Sequence, residues 1–193
     1  MLSKFSRLYS KSGLLLFLWR MPFRVMNSGL NSCNSFLWRL SLGGCGKCVV
    51  IERGVKIENP RQVVLGDRVY IGTGTIIGAE SNDGQLLVGG GVHIGRRCRI
   101  DHTGDVNLGE DVLFSEDVSV FSHSHGHAPK GKALPTPLTI GERTWLGYRS
   151  VILEGVGEIA SDSLVAAGAV VANRCAEPGA VYGGVPAKLI KKK

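Results

Sequence analysis

Leu108-Gly109-Glu110-Asp111-Val112-Leu113-Phe114-Ser115-Glu116-Asp117-Val118-Ser119-Val120 carries three large apolar residues, Leu108, Phe114 and Val120, at intervals of six. A helix repeats its apolar positions near 3.6 residues, which does not fit. The interval of six recurs on both sides of this stretch. Leu65, Ile71 and Ile77 keep it, as do Val88, Ile94 and Ile100, then Ile140, Leu146 and Ile152, then Ile159, Val165 and Val171. An earlier set, Cys45, Ile51 and Ile57, fits more loosely. A period of six in groups of three is the signature of a hexapeptide β-helix. Each unit makes one short strand and a turn, and three units close a triangular coil. Coils then stack as parallel sheets about 4.8 Å apart. The rung residue points into the narrow interior. The residue after it is often glycine (Gly66, Gly72, Gly78, Gly89, Gly95, Gly109, Gly141, Gly147) and is expected at a bend with positive φ.

Between triplets the spacing is 8, 11, 8, 20 and 7 residues, so every insertion follows a third rung. If each triplet is one coil, the insertions leave from one corner and form a column down one edge. Asp101-His102-Thr103 and Ser122-His123-Ser124-His125 are then neighbours one coil apart. The longest insertion, 121–137, holds three of the chain's five histidines: His123, His125 and His127.

Charge divides the chain into three parts. Residues 1–44 carry Lys4, Arg7, Lys11, Arg20, Arg24 and Arg39 without an acid, and residues 188–193 carry four lysines. The body between them holds 13 Lys and Arg against 16 Asp and Glu, which argues against a nucleic-acid-binding body. Five scattered cysteines are not a disulfide framework, and the lone Cys45-x-x-Cys48 has no second pair to complete a zinc site. A reduced, cytoplasmic protein is the simpler reading. Residues 1–44 form a basic, partly apolar appendage. Short helices are expected at 2–10, 13–26 and 33–41. The run Leu14-Leu15-Leu16-Phe17-Leu18-Trp19 is too short to span a bilayer. Two readings stay open: a cap over the open end of the repeat, from which residues 1–40 could be removed without unfolding it, or a peripheral contact with the inner face of the membrane.

Three further elements carry a resemblance: Ile140-Gly141-Glu142-Arg143-Thr144-Trp145-Leu146-Gly147, Ala166-Ala167-Gly168-Ala169-Val170-Val171, and Gly183-Gly184-Val185-Pro186-Ala187-Lys188. With the repeat, they resemble the hexapeptide-repeat acyltransferases, specifically sugar O-acetyltransferases of the maltose, galactoside and surface-polysaccharide type, over roughly residues 60–190. The resemblance implies an all-β, left-handed parallel β-helix, an exception to the right-handed crossover rule. It implies a homotrimer that binds acetyl-CoA in clefts between subunits, and a sugar or glycan acceptor. The domains are then 1–44, the β-helix at 45–182, and a coenzyme-contacting segment with a basic tail at 183–193. Two departures fall on the presumed coenzyme side. Ala172-Asn173 stands where relatives often have Thr-Lys, and the coil after Ile152 has one extra residue.

Acetyl transfer to an alcohol needs a base, and histidine suits that role near neutral pH. Loop position and resemblance favour His123, with His125 second and supporting; His127 lies further into the loop. Asp101 and His102 are candidates to hold the sugar or orient the base. Trp145, Gly147, Ala167, Gly168 and Lys188 are the candidate coenzyme contacts, and no metal is expected. A Cys98 nucleophile is the weaker mechanism, since no histidine adjoins it in the repeat. An N-acetyltransferase of an amino sugar, a γ-type carbonic anhydrase-like metal protein and a non-catalytic scaffold remain rival readings.

Overall fold

Each rung residue pairs with its counterpart one coil further on. In the computed structural model, which describes residues 21, 25, 26, 28–128 and 130–192, the first rungs run Cys45, Leu65, Val88, Leu108, Ile140, Ile159. The second run Ile51, Ile71, Ile94, Phe114, Leu146, Val165. The third run Ile57, Ile77, Ile100, Val120, Ile152, Val171. The result is a left-handed parallel β-helix whose three faces hold six, eight and six strands among the described residues. Six full coils stack, and Cys175 and Tyr182 begin a seventh.

Within each short strand, side chains alternate, so the residue two before a rung also points inward. Val106, Val112 and Val118 are buried beside Leu108, Phe114 and Val120. Where this inner position is threonine, a backbone carbonyl satisfies it: Thr75 Oγ1 donates to Gly95 O at 2.9 Å and Thr144 Oγ1 to Ala160 O at 3.2 Å. Cys98 occupies one of these positions. Burial pushes its thiol up to about 11, which suits packing and not nucleophilic attack.

The expected positive φ at the glycines after the rungs is not found. Their reason is proximity. At Gly66, Gly72, Gly89, Gly95, Gly109, Gly141 and Gly147 a Cβ would stand within 3.0 Å of backbone in the next coil. Positive φ falls instead three residues after a rung, at Cys48, Arg68, Asp111, Arg143 and Asp162 on one corner and at Arg97, Asp117 and Arg149 on the next, all between 54° and 61°. Ion pairs run down these columns, with Arg97 on Asp117 at 2.7 Å and Arg143 on Asp162 at 2.8 Å.

A helix at 28–41 closes the open end. Asn34 Nδ2 donates to the Ile51 and Glu52 carbonyls at 2.9 and 3.2 Å, and Ser35 Oγ accepts the Ile51 N–H at 2.8 Å. Arg39 donates to Gly46 O at 2.6 Å. These bonds occupy strand-edge groups that would otherwise be open to another chain. The helix is longer than the 33–41 expected. It supplies partners to the first coil, so removing residues 28–40 would uncover these groups. The apolar run 14–19 and the helices expected at 2–10 and through most of 13–26 lie outside the described residues. No helix among the described residues is long and apolar enough to cross a membrane.

At the other end, Ala180–Gly184 joins the second face in parallel and Ala187–Lys192 returns antiparallel to it. The strand therefore crosses the boundary expected at 182, and Lys188, Lys191 and Lys192 sit on a hairpin. Lys192 Nζ reaches Glu177 at 2.7 Å.

The two classes of glycine give different expectations. Gly109→Ala should cost about 1–3 kcal/mol, because the new methyl has no room. Gly155 has φ 80° with nothing within 4 Å of a Cβ. Gly155→Asn should therefore stay within about 0.5 kcal/mol, since asparagine tolerates this region. Thermal unfolding of the two variants checks the contrast.

Candidate active site

The insertions do share one corner, and they carry a polar cluster. Ser122 Oγ donates to Asp101 Oδ1 at 2.9 Å, and Gly104 N–H meets Ser122 O at 3.1 Å, so the 101–107 and 121–137 insertions are neighbours. The longer one is a small hairpin in which His123–Ser124 pairs antiparallel with Leu134–Pro135. Thr136 N–H closes it on Ser122 O at 2.7 Å.

Asp101 is the hub. It is 8% exposed and accepts from His123 Nδ1 at 2.9 Å, Thr103 N at 3.1 Å, Thr103 Oγ1 at 3.2 Å and Ser122 Oγ. Burial opposes its ionisation. The hydrogen bonds from His123, Thr103 and Ser122 outweigh burial and hold the carboxyl below its ordinary range. An ionised Asp101 only accepts, so His123 carries its proton on Nδ1 and directs Nε2 outward. His125 repeats the arrangement: its Nδ1 meets the Gly131 carbonyl at 2.9 Å. The two rings meet edge to face, centroids 5.1 Å apart.

Sequence reasoning missed Glu80. Its Oε1 lies 3.4 Å from His123 Nε2 and its Oε2 lies 3.3 Å from His125 Nε2. The signal was available, because Glu80 lies in the 78–87 insertion one coil before Asp101. Its N–H is held by Thr103 Oγ1 at 2.9 Å. His102, expected beside the acceptor, is turned inward instead. It is 0% exposed, with Nδ1 on the Gly84 carbonyl at 3.2 Å. A substrate contact by this side chain is therefore corrected to a structural one, holding the neighbouring insertion. His127 is exposed in the loop. His93 lies on the second face, stacked on Tyr70 with centroids 4.5 Å apart.

The candidate coenzyme residues form a separate group. Trp145 is about half exposed on the second face, and its Nε1 donates to Ser115 Oγ at 2.9 Å. Gly147 packs against the Ala167 backbone at the corner after that face, where Ala167 and Gly168 are exposed. Lys188 is exposed on the last strand of the same sheet. Tyr148 and Arg149, not singled out from the sequence, share this corner, the guanidinium 5.1 Å from the ring centre. The third face lies between this group and the histidines.

A left-handed β-helix is the architecture that the resemblance implied, and the comparisons agree. No protein-family model matches the chain. It is 27% identical over 158 residues to a protein of Escherichia coli named as a lipopolysaccharide biosynthesis O-acetyl transferase, WbbJ, a match covering 75% of this chain and 79% of that one. It is 33% identical over 116 residues to the galactoside O-acetyltransferase of the same organism, covering 54% of this chain and 55% of that one. Among solved structures, the N-acyltransferase AntD of Bacillus cereus, in complex with dTDP and coenzyme A, superposes with a TM-score of 0.72 at 19% identity, over 82% of this chain and 89% of that one. The hexapeptide-repeat acetyltransferase VCA0836 of Vibrio cholerae does so at 0.60 and 21% identity, over 98% and 92%. The chain resembles the hexapeptide-repeat acyltransferases in sequence and in fold.

Asp101→Ala removes the acceptor of several buried donors. It should cost about 1–3 kcal/mol, the penalty of leaving such a group unpaired. Asp101→Asn keeps an acceptor and should recover part of that loss. Denaturant unfolding of both variants measures it.

Proposed function

We propose that this acyltransferase moves the acetyl group of acetyl-CoA directly to a sugar hydroxyl in the synthesis of a cell-surface glycan, with His123 as general base. The observation that carries the reading is the Asp101–His123 pair: a buried carboxylate fixes the proton on Nδ1 and leaves Nε2 at the edge to accept another. The named O-acetyltransferases among the curated relatives favour oxygen over nitrogen as the acceptor atom.

In the reaction, the acceptor hydroxyl gives its proton to His123 Nε2 as its oxygen attacks the thioester carbonyl. Asp101 stabilises the imidazolium that forms. The tetrahedral intermediate collapses by breaking the carbon–sulfur bond, and the imidazolium returns the proton to the departing thiolate. Glu80 stands in front of Nε2, and its carboxylate is half exposed. The acceptor takes that place when it binds. His125 lines the same mouth and supports the acceptor.

The coenzyme residues and the base occupy different corners of one prism. A homotrimer joins them by setting one copy's histidine column beside the next copy's Trp145, Gly147, Ala167, Gly168 and Lys188. The amino-terminal segment has a separate proposed role as a peripheral membrane contact. Its support is the exposure of Val25, Met26, Leu30, Phe36, Leu37 and Leu40 beside the basic stretch. Phe36→Ser with Leu40→Ser should then reduce binding to anionic vesicles; unchanged binding removes this role.

His123→Ala should lower kcat by about 10²–10⁴-fold while changing acetyl-CoA affinity little. His125→Ala should cost less. Acetyl-CoA-dependent assays on a panel of hydroxyl and amino sugars, with the products analysed, test both the ranking and the acceptor atom. Full turnover by the His123 variant contradicts the mechanism, and N-acetylated products alone contradict the acceptor. Sedimentation should show a trimer; an active monomer contradicts the shared site.

A further inference from the structure

We propose that Glu80, His123 and His125 also form a three-ligand site for a divalent transition-metal cation of the zinc type, and that filling it stops acetyl transfer. The second half rests on His123 as the base; the first does not.

The argument begins with proton positions. Both Nδ1 atoms face groups that only accept, the Asp101 carboxylate and the Gly131 carbonyl, each at 2.9 Å. Each Nδ1 therefore carries hydrogen, and each neutral ring presents a lone pair at Nε2. Those two lone pairs converge on the two oxygens of one carboxylate, at 3.4 and 3.3 Å. Acceptor facing acceptor at this range is repulsive. The arrangement is made favourable by a positive centre between the groups: protons on both rings, or one cation bound by all three.

The 3.4 and 3.3 Å contacts are to different oxygens of Glu80, so a cation held by one of them needs a small side-chain rotation to draw the three ligands together. Ligand atoms about 2.0–2.1 Å from a tetrahedral zinc lie about 3.3–3.4 Å from one another. One nitrogen from each of His123 and His125 and one oxygen from Glu80 lie within 4.8 Å of each other. Imidazole and carboxylate together suit zinc-type ions. The outer partners are also those of a metal site, where a ligating histidine gives its other N–H to a carboxylate or a backbone carbonyl. Asp101 and Gly131 do that here. Glu80 is half exposed and His125 partly so, which leaves an entry path and a fourth position for water.

Binding takes the Nε2 lone pair of His123 into the metal bond, and that lone pair is the one the acceptor's proton needs. No bond is broken in the protein. A ring that was doubly protonated releases its Nε2 proton to solvent. The same residues thus serve either proton transfer or cation binding, and never both together.

The test uses full-length protein with Cys45→Ser and Cys48→Ser, so that zinc cannot bind that pair, stripped of metal and titrated with Co2+ and Zn2+. One Co2+ per chain with the visible absorption of a four-coordinate ion is expected. Glu80→Gln and His125→Ala should each weaken binding at least tenfold with circular dichroism unchanged. Asp101→Asn should weaken it about 10–100-fold through its hold on His123. Wild-type affinity in both Glu80→Gln and His125→Ala overturns the site. Acetyl transfer by stripped protein should fall at least tenfold as Zn2+ fills the site. Undiminished transfer with the site filled overturns the block. Transfer that requires Zn2+ also overturns it and removes the base mechanism, while the site itself stands.

Discussion

The backbone of each coil must reach the backbone of the next, and everything else in this molecule is arranged around that contact. Coils stand about 4.8 Å apart, and their backbones are joined by hydrogen bonds between carbonyls and N–H groups. Where glycine follows a first or second rung, the chains come so close that a single methyl would intrude, as at Gly109 against Glu142 and Gly147 against Ala167. Inside, the rungs Leu65, Ile71 and Ile77 and their counterparts fill a narrow column with no exposed surface to spare. A coil in such a stack cannot change length at those corners without losing its neighbours.

Extra residues in the six full coils therefore have one exit. All leave after the third rung, and the stacking brings them together there; the incomplete seventh coil takes an extra residue between Cys175 and Tyr182. Asp101 and His123 are 22 residues apart in the chain and share a 2.9 Å hydrogen bond because their coils are adjacent. The corner offers a rigid floor, a buried carboxylate fixed by Thr103 and Ser122, and an edge open to solvent, which the proposed chemistry uses. The same rigidity leaves Glu80 against two histidines whose protons are already committed on the far side. The proposed proton transfer and the proposed cation binding both draw on the same outward-facing nitrogens.

The period of six made the rungs legible, and every rung from Cys45 to Val171 has its expected partner. The insertion column was legible for the same reason, since it needed only the position of each length change. What escaped depends on distances that spacing does not contain. The glycines after the rungs looked like turn residues, but their role is to let coils touch. Many of the left-handed positions are held by arginines and aspartates, which stand where other coils have Gly54, Gly74, Gly91 and Gly168. The inner residues two before each rung were visible as Val-x-Phe or Val-x-Val and were not used. His102 lies in the right insertion, yet its direction, inward to Gly84, is set by local backbone. Glu80 could have been found by carrying the column one coil back. A helix was legible only at 33–41, and the bonds of the longer helix to Ile51 and Glu52 are what show that it caps an edge.

The central claim is that this one corner is where acyl transfer takes place. A structure of the assembled protein with coenzyme A bound tests it most directly. The account predicts the coenzyme sulfur beside Nε2 of His123, with the rest of the coenzyme along Trp145, Gly147 and Ala167 of a neighbouring copy. A coenzyme whose sulfur lies on another corner, away from the Asp101–His123 pair, would contradict it.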